Sequence, residues 1–292
     1  MKQYIGDGLL LITAIVWGSG FVVPAIALEY FSTYQVMAGR FIIAAVILSL
    51  LFRKKFTTFS KAVIWKGAIL GSILYIGFAF QTVGLEYTTP SKNAFITAVN
   101  VVIVPLIAFV VFKRKVDRFE SFGSILAIIG IGFLTLQGSM AVNIGDILTL
   151  ICAGAFAFDI FYTNLFVKTE DAISLTIVQF ITASLLGVIA VLIQGDIPTT
   201  FETEAIYPIL YLGIFSTVIA YVCQNVGFKY TSATQGAIIL SFDALFGMIF
   251  SVIFLKELLT WRLIVGATLI MAAILITELK PNLFKKRAVK RV

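Results

Sequence analysis

Ten apolar runs, each about as long as a bilayer is thick, decide what this chain can become. They are α1 to α10, at roughly 8–28, 33–52, 66–83, 91–111, 119–137, 144–166, 172–193, 205–226, 232–254 and 260–278. A spanning helix needs about 20 apolar residues. Backbone amides in hydrocarbon have no water to bond, so runs of this length must satisfy themselves as helices. The composition agrees: 60% of the chain is apolar, 13% is charged and the mean hydropathy is +1.04. A soluble domain carries about 25% charged residues. The longest connection is Arg53 to Trp65, too short for a separate soluble domain. The first run, Gly8 to Leu28, is too long for a cleavable signal and reads as the first span. The expected class is an all-α integral membrane protein whose main partner is the lipid bilayer.

Basic residues set the expected orientation. Lys2, the five from Arg53 to Lys66, the four from Lys113 to Arg118, Lys168, Lys229 and the six of the tail all fall on one side. Only Lys92, Lys256 and Arg262 fall on the other, and Arg40 lies inside α2. Short cytoplasmic loops collect Lys and Arg, so both termini are expected inside a cell (inner or plasma) membrane. The net charge of +7 is thereby accounted for without nucleic acid.

The chain also repeats itself. Shifted by about 143 positions, Gly84-Leu-Glu-Tyr-Thr88 falls on Gly227-Phe-Lys-Tyr-Thr231, Ala94 on Ala237, Asn100 on Asp243 and Lys113 on Lys256. More weakly, Gly6-Asp7 echoes Gly145-Asp146, which sets Trp17 against Phe156 and Phe41 against Phe180. Five helices separate the copies. An odd number means that the second copy crosses in the opposite sense. The expected fold is ten transmembrane helices as two inverted five-helix repeats, 1–140 and 141–292. This is the architecture of many carriers, which hold substrate near the midplane between halves that rock.

The ordered set Trp17-Gly-Ser-Gly-Phe21, Arg40-Phe41, Gly84-x-x-Tyr87-Thr88, Pro105, Gly227-x-x-Tyr230-Thr231, Leu255-Lys-Glu-Leu258 and Gly266 resembles the EamA-type ten-helix carriers of the drug/metabolite transporter superfamily. The resemblance covers nearly the whole chain. It implies a secondary transporter of a small organic molecule; relatives move amino acids, related metabolites, nucleosides or quaternary amines. Two departures stand out. Lys113-Arg-Lys115 ends α4 where the family usually has a Glu. Asp243-Ala244 replaces an acidic residue followed by Pro, so α9 is expected to run straighter.

Polar groups at mid-depth are the candidate site. A charge at the bilayer centre costs at least about 2.5–3.5 kcal/mol, so it marks function by default. Asp243 lies about 16 Å into α9, near the midplane, and Asn100 lies at a similar depth from the other face. Both also fit an interhelical hydrogen bond. Asp159 shares a helical face with Phe156 and Tyr162 by spacing. Arg40 fits a substrate carboxylate, the neutralisation of an acid such as Asp243, or a fixed structural pair, and as part of the family's general pattern it does not by itself select a substrate. Trp17, Tyr75 and Tyr221 are deep aromatics suited to an organic cation or an aromatic substrate, or to helix packing. Gly67 and Gly71 have helix-contact spacing, internal or at a dimer face, so both monomer and homodimer fit.

With no histidine in the chain, Asp243 and Asp159 are the protonatable groups on which proton coupling would rest. Cys152 and Cys223 sit in apolar runs and read as buried small side chains. No phosphate-cradling or dinucleotide motif appears, so neither cofactor, metal nor enzymatic activity is expected. The reading is an alternating-access carrier of an amino-acid-like small molecule, working as an exporter, with substrate among α1, α3, α4, α6, α8 and α9. The alternative is an importer of a quaternary amine such as choline.

Overall fold

The computed structural model describes residues 2–113, 115–136, 143–197, 203–228, 230–231 and 233–279. Regular structure there is helical: α1 Lys2–Ala27, α2 Thr33–Leu51, α3 Lys61–Leu85, α5 Arg118–Thr135, α6 Ile144–Phe166, α7 Ala172–Gln194 and α10 Trp261–Leu279. A 3₁₀ turn, Arg53–Thr58, follows α2. α4 is split into α4a, Pro90–Ala98, and α4b, Asn100–Phe112, and α9 into α9a, Ala233–Leu240, and α9b, Phe242–Leu255. α8 joins Thr203–Tyr211, a π-helical stretch Leu212–Ile219, and Ala220–Gly227. Ten of these helices are long and apolar enough to cross a membrane, so this is a multi-pass membrane protein. The basic tail from Lys280, together with Arg114 and Lys229, lies outside the described residues.

Caps place the helix ends. Ser32 and Gln35 form a capping box on α2, and Asp117 and Glu120 form one on α5. Each such cap contributes about 1 kcal/mol. Ser60 accepts from the Val63 amide at 3.1 Å, which starts α3 at Lys61, ahead of the expected residue 66. Asp171 caps α7 through the Ser174 amide at 2.9 Å and meets Lys55 at 3.1 Å. Partial burial raises the Asp171 pKa, but the Ser174 and Lys55 contacts outweigh that and hold it below the usual carboxylate range.

α9 is not one continuous α-helix. Ser241 interrupts it as Val99 interrupts α4, both with right-handed backbone. The Ser241 hydroxyl donates to the Ile238 carbonyl at 2.7 Å. A proline is therefore not needed for the break, because the hydroxyl competes for a helix carbonyl.

The principal packing survives exchange of the halves. α1 lies on α8 and α9 as α6 lies on α3 and α4, while α2 pairs with α7 and α5 with α10. The repeated hairpin motifs sit at two matching crossings. A Cβ on Gly6 would lie 3.0 Å from the Gly227 carbonyl, and one on Gly145 would lie 2.5 Å from the Gly84 carbonyl. Only glycine permits such approach. At one crossing Thr231 donates to Asp7 at 2.9 Å, and at the other Thr88 donates to Asp146. Lys113 (φ 51°) and Lys256 (φ 57°), equivalent in the repeat, both end a half-helix in the left-handed region. That conformation costs a non-glycine residue about 1–2 kcal/mol. The Gly67/Gly71 ridge is internal: a Cβ on Gly67 would meet Val178, and one on Gly71 the Gln179 carbonyl, both on α7.

One pair of equivalent segments breaks the symmetry. Ala94, Phe95, Ile96 and Thr97 of α4a are at most 5% exposed, whereas their equivalents Ala237 to Leu240 of α9a are all half-buried. α4a packs on α1, α3, α6, α9b and α10. α9a packs mainly on α1 and α10 over the described residues.

Candidate functional site

The centre of the molecule holds a chain of six rings: Trp17, Tyr221, Phe180, Phe41, Phe78 and Phe156. Successive centroids are 5.6, 5.2, 6.2, 5.5 and 5.0 Å apart. The order is a palindrome of the repeat, since Trp17 corresponds to Phe156, Tyr221 to Phe78 and Phe180 to Phe41. Its middle link is the stacked pair Phe41–Phe180, where α2 meets α7. Four of the five links are edge-on, the geometry in which a ring's positive rim faces its neighbour's negative face. Tyr75 packs in the same cluster, and its buried hydroxyl has no hydrogen-bond partner.

Arg40 stands beside Phe41 and is 5% exposed. Its Nε donates to Thr217 Oγ1 at 2.9 Å and its Nη2 to Ser216 Oγ at 3.2 Å. The guanidinium carbon lies 4.0 Å from the centroid of Phe78. The π-helical stretch of α8 presents both hydroxyls, and Thr217 in turn donates to the Leu212 carbonyl five residues back at 2.8 Å. Short π segments of this kind recur at functional sites because they re-aim side chains without ending the helix. Arg40 makes no ion pair with Asp243 or any other carboxylate among the described residues. Of the alternatives the sequence leaves open, a pair with an acid is not seen among the described residues: hydroxyls and a ring face satisfy the guanidinium.

Asp159, 9% exposed, accepts from Gln179 Nε2 at 2.9 Å. Gln179 precedes Phe180 as Arg40 precedes Phe41, so the two occupy equivalent places in the repeat. Tyr221 lies within electrostatic reach of both the Asp159 carboxylate and the Arg40 guanidinium. The cluster thus holds one cation on α2 and one carboxylate on α6, each bonded to uncharged partners.

The structure gathers Trp17, Arg40, Tyr75, Asp159 and Tyr221. Trp17 is more constrained than a free recognition ring, because its indole N–H donates to the Ser216 carbonyl at 3.1 Å. Tyr162 packs on Phe158, Phe161 and Phe166, away from the ring chain. Asn100 opens α4b and Asp243 lies in the first turn of α9b, both half-buried. Neither bonds to the central cluster. The Asp243 carbonyl stands 3.0 Å from where a Cβ on Gly18 would be, so it borders α1 one residue from Trp17. Both cysteines are free. Gln179, Ser216 and Thr217 were not singled out by the sequence. The register that pairs Phe41 with Phe180 held the signal for Gln179. Two apolar clefts, ≈ 330 Å³ beside α9 and α10 and ≈ 380 Å³ among α2, α7 and α8, contain no charged side chain and lie apart from this cluster.

A family model described as the EamA-like transporter family matches residues 4–136 and again 143–279. The chain belongs to the EamA-like transporter family. An "Uncharacterized transporter" of Archaeoglobus fulgidus is 34% identical over 283 residues, covering 96% of this chain and 88% of its own. The "Uncharacterized transporter YyaM" of Bacillus subtilis is 24% identical, with 91% of each chain covered. A solved crystal structure superposes with a TM-score of 0.66 at 14% identity, over 94% of this chain and 98% of the other, and shares its fold. The chain is thus an EamA-family transporter, and the polar cluster beside the stacked Phe41–Phe180 pair is its candidate site.

Proposed function

We propose that this EamA-family member is a secondary carrier for a small zwitterionic, amino-acid-like metabolite, exported by alternating access of two inverted halves. The observation that carries the reading is the buried Arg40, held by the Ser216 and Thr217 hydroxyls with no carboxylate partner among the described residues, in a ring cluster that also borders the Gln179–Asp159 pair. An unpaired buried charge is costly, and the cost falls when a ligand supplies the opposite charge. A substrate carboxylate meets the guanidinium fork, which matches its planar geometry. A substrate ammonium meets Asp159, and the rings of Tyr75, Phe78, Phe156 and Tyr221 face its organic portion. Asp159 and Asp243 are the candidates for proton coupling.

The Lys/Arg distribution supports cytoplasmic termini in a cell membrane. The half-exposed α9a then lies toward the cytoplasm and the enclosed α4a toward the outside, which favours loading from within. A quaternary amine such as choline is the second reading, motivated by the aromatic cluster and its acid. The Arg40 charge in the same cluster weighs against a purely cationic ligand.

Counterflow in proteoliposomes with amino acids and choline separates the two. Saturable amino-acid exchange that is abolished in Arg40→Gln supports the zwitterion. Choline exchange that persists in Arg40→Gln, with no amino-acid exchange in the unsubstituted protein, contradicts it.

A further inference from the structure

The symmetry break between α4a and α9a has a chemical counterpart in the residues at their ends. Glu257, just beyond α9b, reaches the start of α4a. Its Oε2 accepts from the Ser91 amide at 3.3 Å and the Ser91 hydroxyl at 2.7 Å, and also from the Ser251 hydroxyl. Ser91 and Ser251 are fully buried. Ser91 follows Pro90 in the first turn of α4a, where amide donors have no helical partner and the helix dipole favours a negative charge. On the other side of the same turn, Lys92 Nζ meets Asp146 of α6 at 3.5 Å. Deeper in, Ala94 seats on Gly247: its Cβ lies 3.0 Å from where a Cβ on Gly247 would be.

The repeat supplies the comparison. The equivalents of Glu257, Ser251, Ser91 and Lys92 are Arg114, Ala108, Thr234 and Gln235, and that of Gly247 is Val104. No carboxylate stands where Glu257 stands, no lysine where Lys92 stands, and a branched side chain replaces the glycine that admits Ala94. The other face of the protein cannot be closed by these same contacts.

We propose that Glu257 is the latch of the outer gate, holding α9b to α4a so that the resting carrier is shut to the outside and open to the cytoplasm. Opening outward requires the Glu257 carboxylate to release the Ser91 amide and both hydroxyls. The sequence places Arg114, Ala108 and Gln235 at the positions equivalent to Glu257, Ser251 and Lys92, so the same latch is not repeated and the resting equilibrium favours the inward-open form. This rests on the carrier reading above, but its test needs no substrate, so the two fail separately.

The test is labelling of the full chain by a membrane-impermeant maleimide, in Cys152→Ala/Cys223→Ala protein carrying Ala94→Cys or Ala237→Cys. Oriented vesicles expose one face at a time. With Glu257 in place, Ala237→Cys reacts from the N-terminal face, while Ala94→Cys resists reagent from the opposite face. Glu257→Gln raises Ala94→Cys labelling about tenfold or more and lowers Ala237→Cys labelling, as loss of a charge-assisted contact shifts the two-state population. Ser251→Ala shifts both in the same direction by less, and serves if Glu257→Gln does not fold by gel filtration. Labelling of Ala94→Cys that is already fast with Glu257 present overturns the proposal. So does labelling at both positions that neither variant changes.

Discussion

Arg40 and Gln179 occupy equivalent places in the two halves, each preceding the phenylalanine at the middle of the ring chain. One bonds hydroxyls across the axis on α8, and the other bonds an acid on the neighbouring α6. The rings around them form a palindrome. The aromatic frame is therefore nearly symmetric while its charges are not. A duplicated frame suits rocking, because both states reuse the same packing. Charges of opposite sign in the two halves suit a ligand that carries both.

The strongest way to break this comparison is to make the halves alike. Arg40→Gln is expected to lower zwitterion counterflow at least about 30-fold, since losing one member of a buried charged contact costs about 2–5 kcal/mol. Its melting temperature in detergent should stay near that of the unsubstituted protein, because the guanidinium has no carboxylate to leave behind. Asp159→Asn is expected to cost about tenfold or more in amino-acid affinity, with little change for the deaminated acid. Equal losses for both ligands would detach Asp159 from the ammonium.

Gln179→Leu removes the donor that orients Asp159. It should raise KM several-fold and lower stability by about 1–3 kcal/mol, the cost of a buried acceptor left unsatisfied. Thermal unfolding with and without substrate separates the two effects. Tyr221→Phe copies Phe78 into the other half, and a change of no more than about threefold is expected if the ring matters more than its hydroxyl.

The smallest effect lies outside the ring chain. Asp171→Ala should destabilise by about 0.5–1 kcal/mol through loss of the α7 cap, leaving affinity intact. The Asp171 pKa is depressed on folding, so this increment is present above the unfolded carboxylate value and fades as pH falls through the lower folded one. Exposure to solvent screens the Lys55 part of it. Denaturation midpoints at pH 7 and in acid should show the gap closing.

The sequence made the frame legible because apolar length and repeat register are properties of the chain itself. Arg40 and Asp159 could be named because charged groups at mid-depth are rare and expensive, and Trp17, Tyr75 and Tyr221 because Trp and Tyr ordinarily sit at the membrane interfaces. What stayed hidden needs three-dimensional bonding. Gln179 looks like any amide in an apolar run until Asp159 is seen within 2.9 Å. Ser216 and Thr217 reach Arg40 only because α8 widens into a π helix, which no residue pattern announced. The interruption of α9 at Ser241 has no proline to announce it; the matching interruption of α4 falls at Val99, so the two breaks share a repeat position and not a residue type. Glu257 was visible only as part of a motif, and its reach to Ser91 spans 166 positions.

The most direct test of opposite charges in opposite halves is a ligand-by-variant cycle in binding. An amino acid, its decarboxylated amine and its deaminated acid are titrated against unsubstituted protein, Arg40→Gln and Asp159→Asn. The account predicts that Arg40→Gln collapses the preference for amino acid over amine by about tenfold or more, and Asp159→Asn the preference for amino acid over acid, each leaving the other preference in place. If both variants lower all three affinities by the same factor, the two residues hold the fold and do not read the ligand.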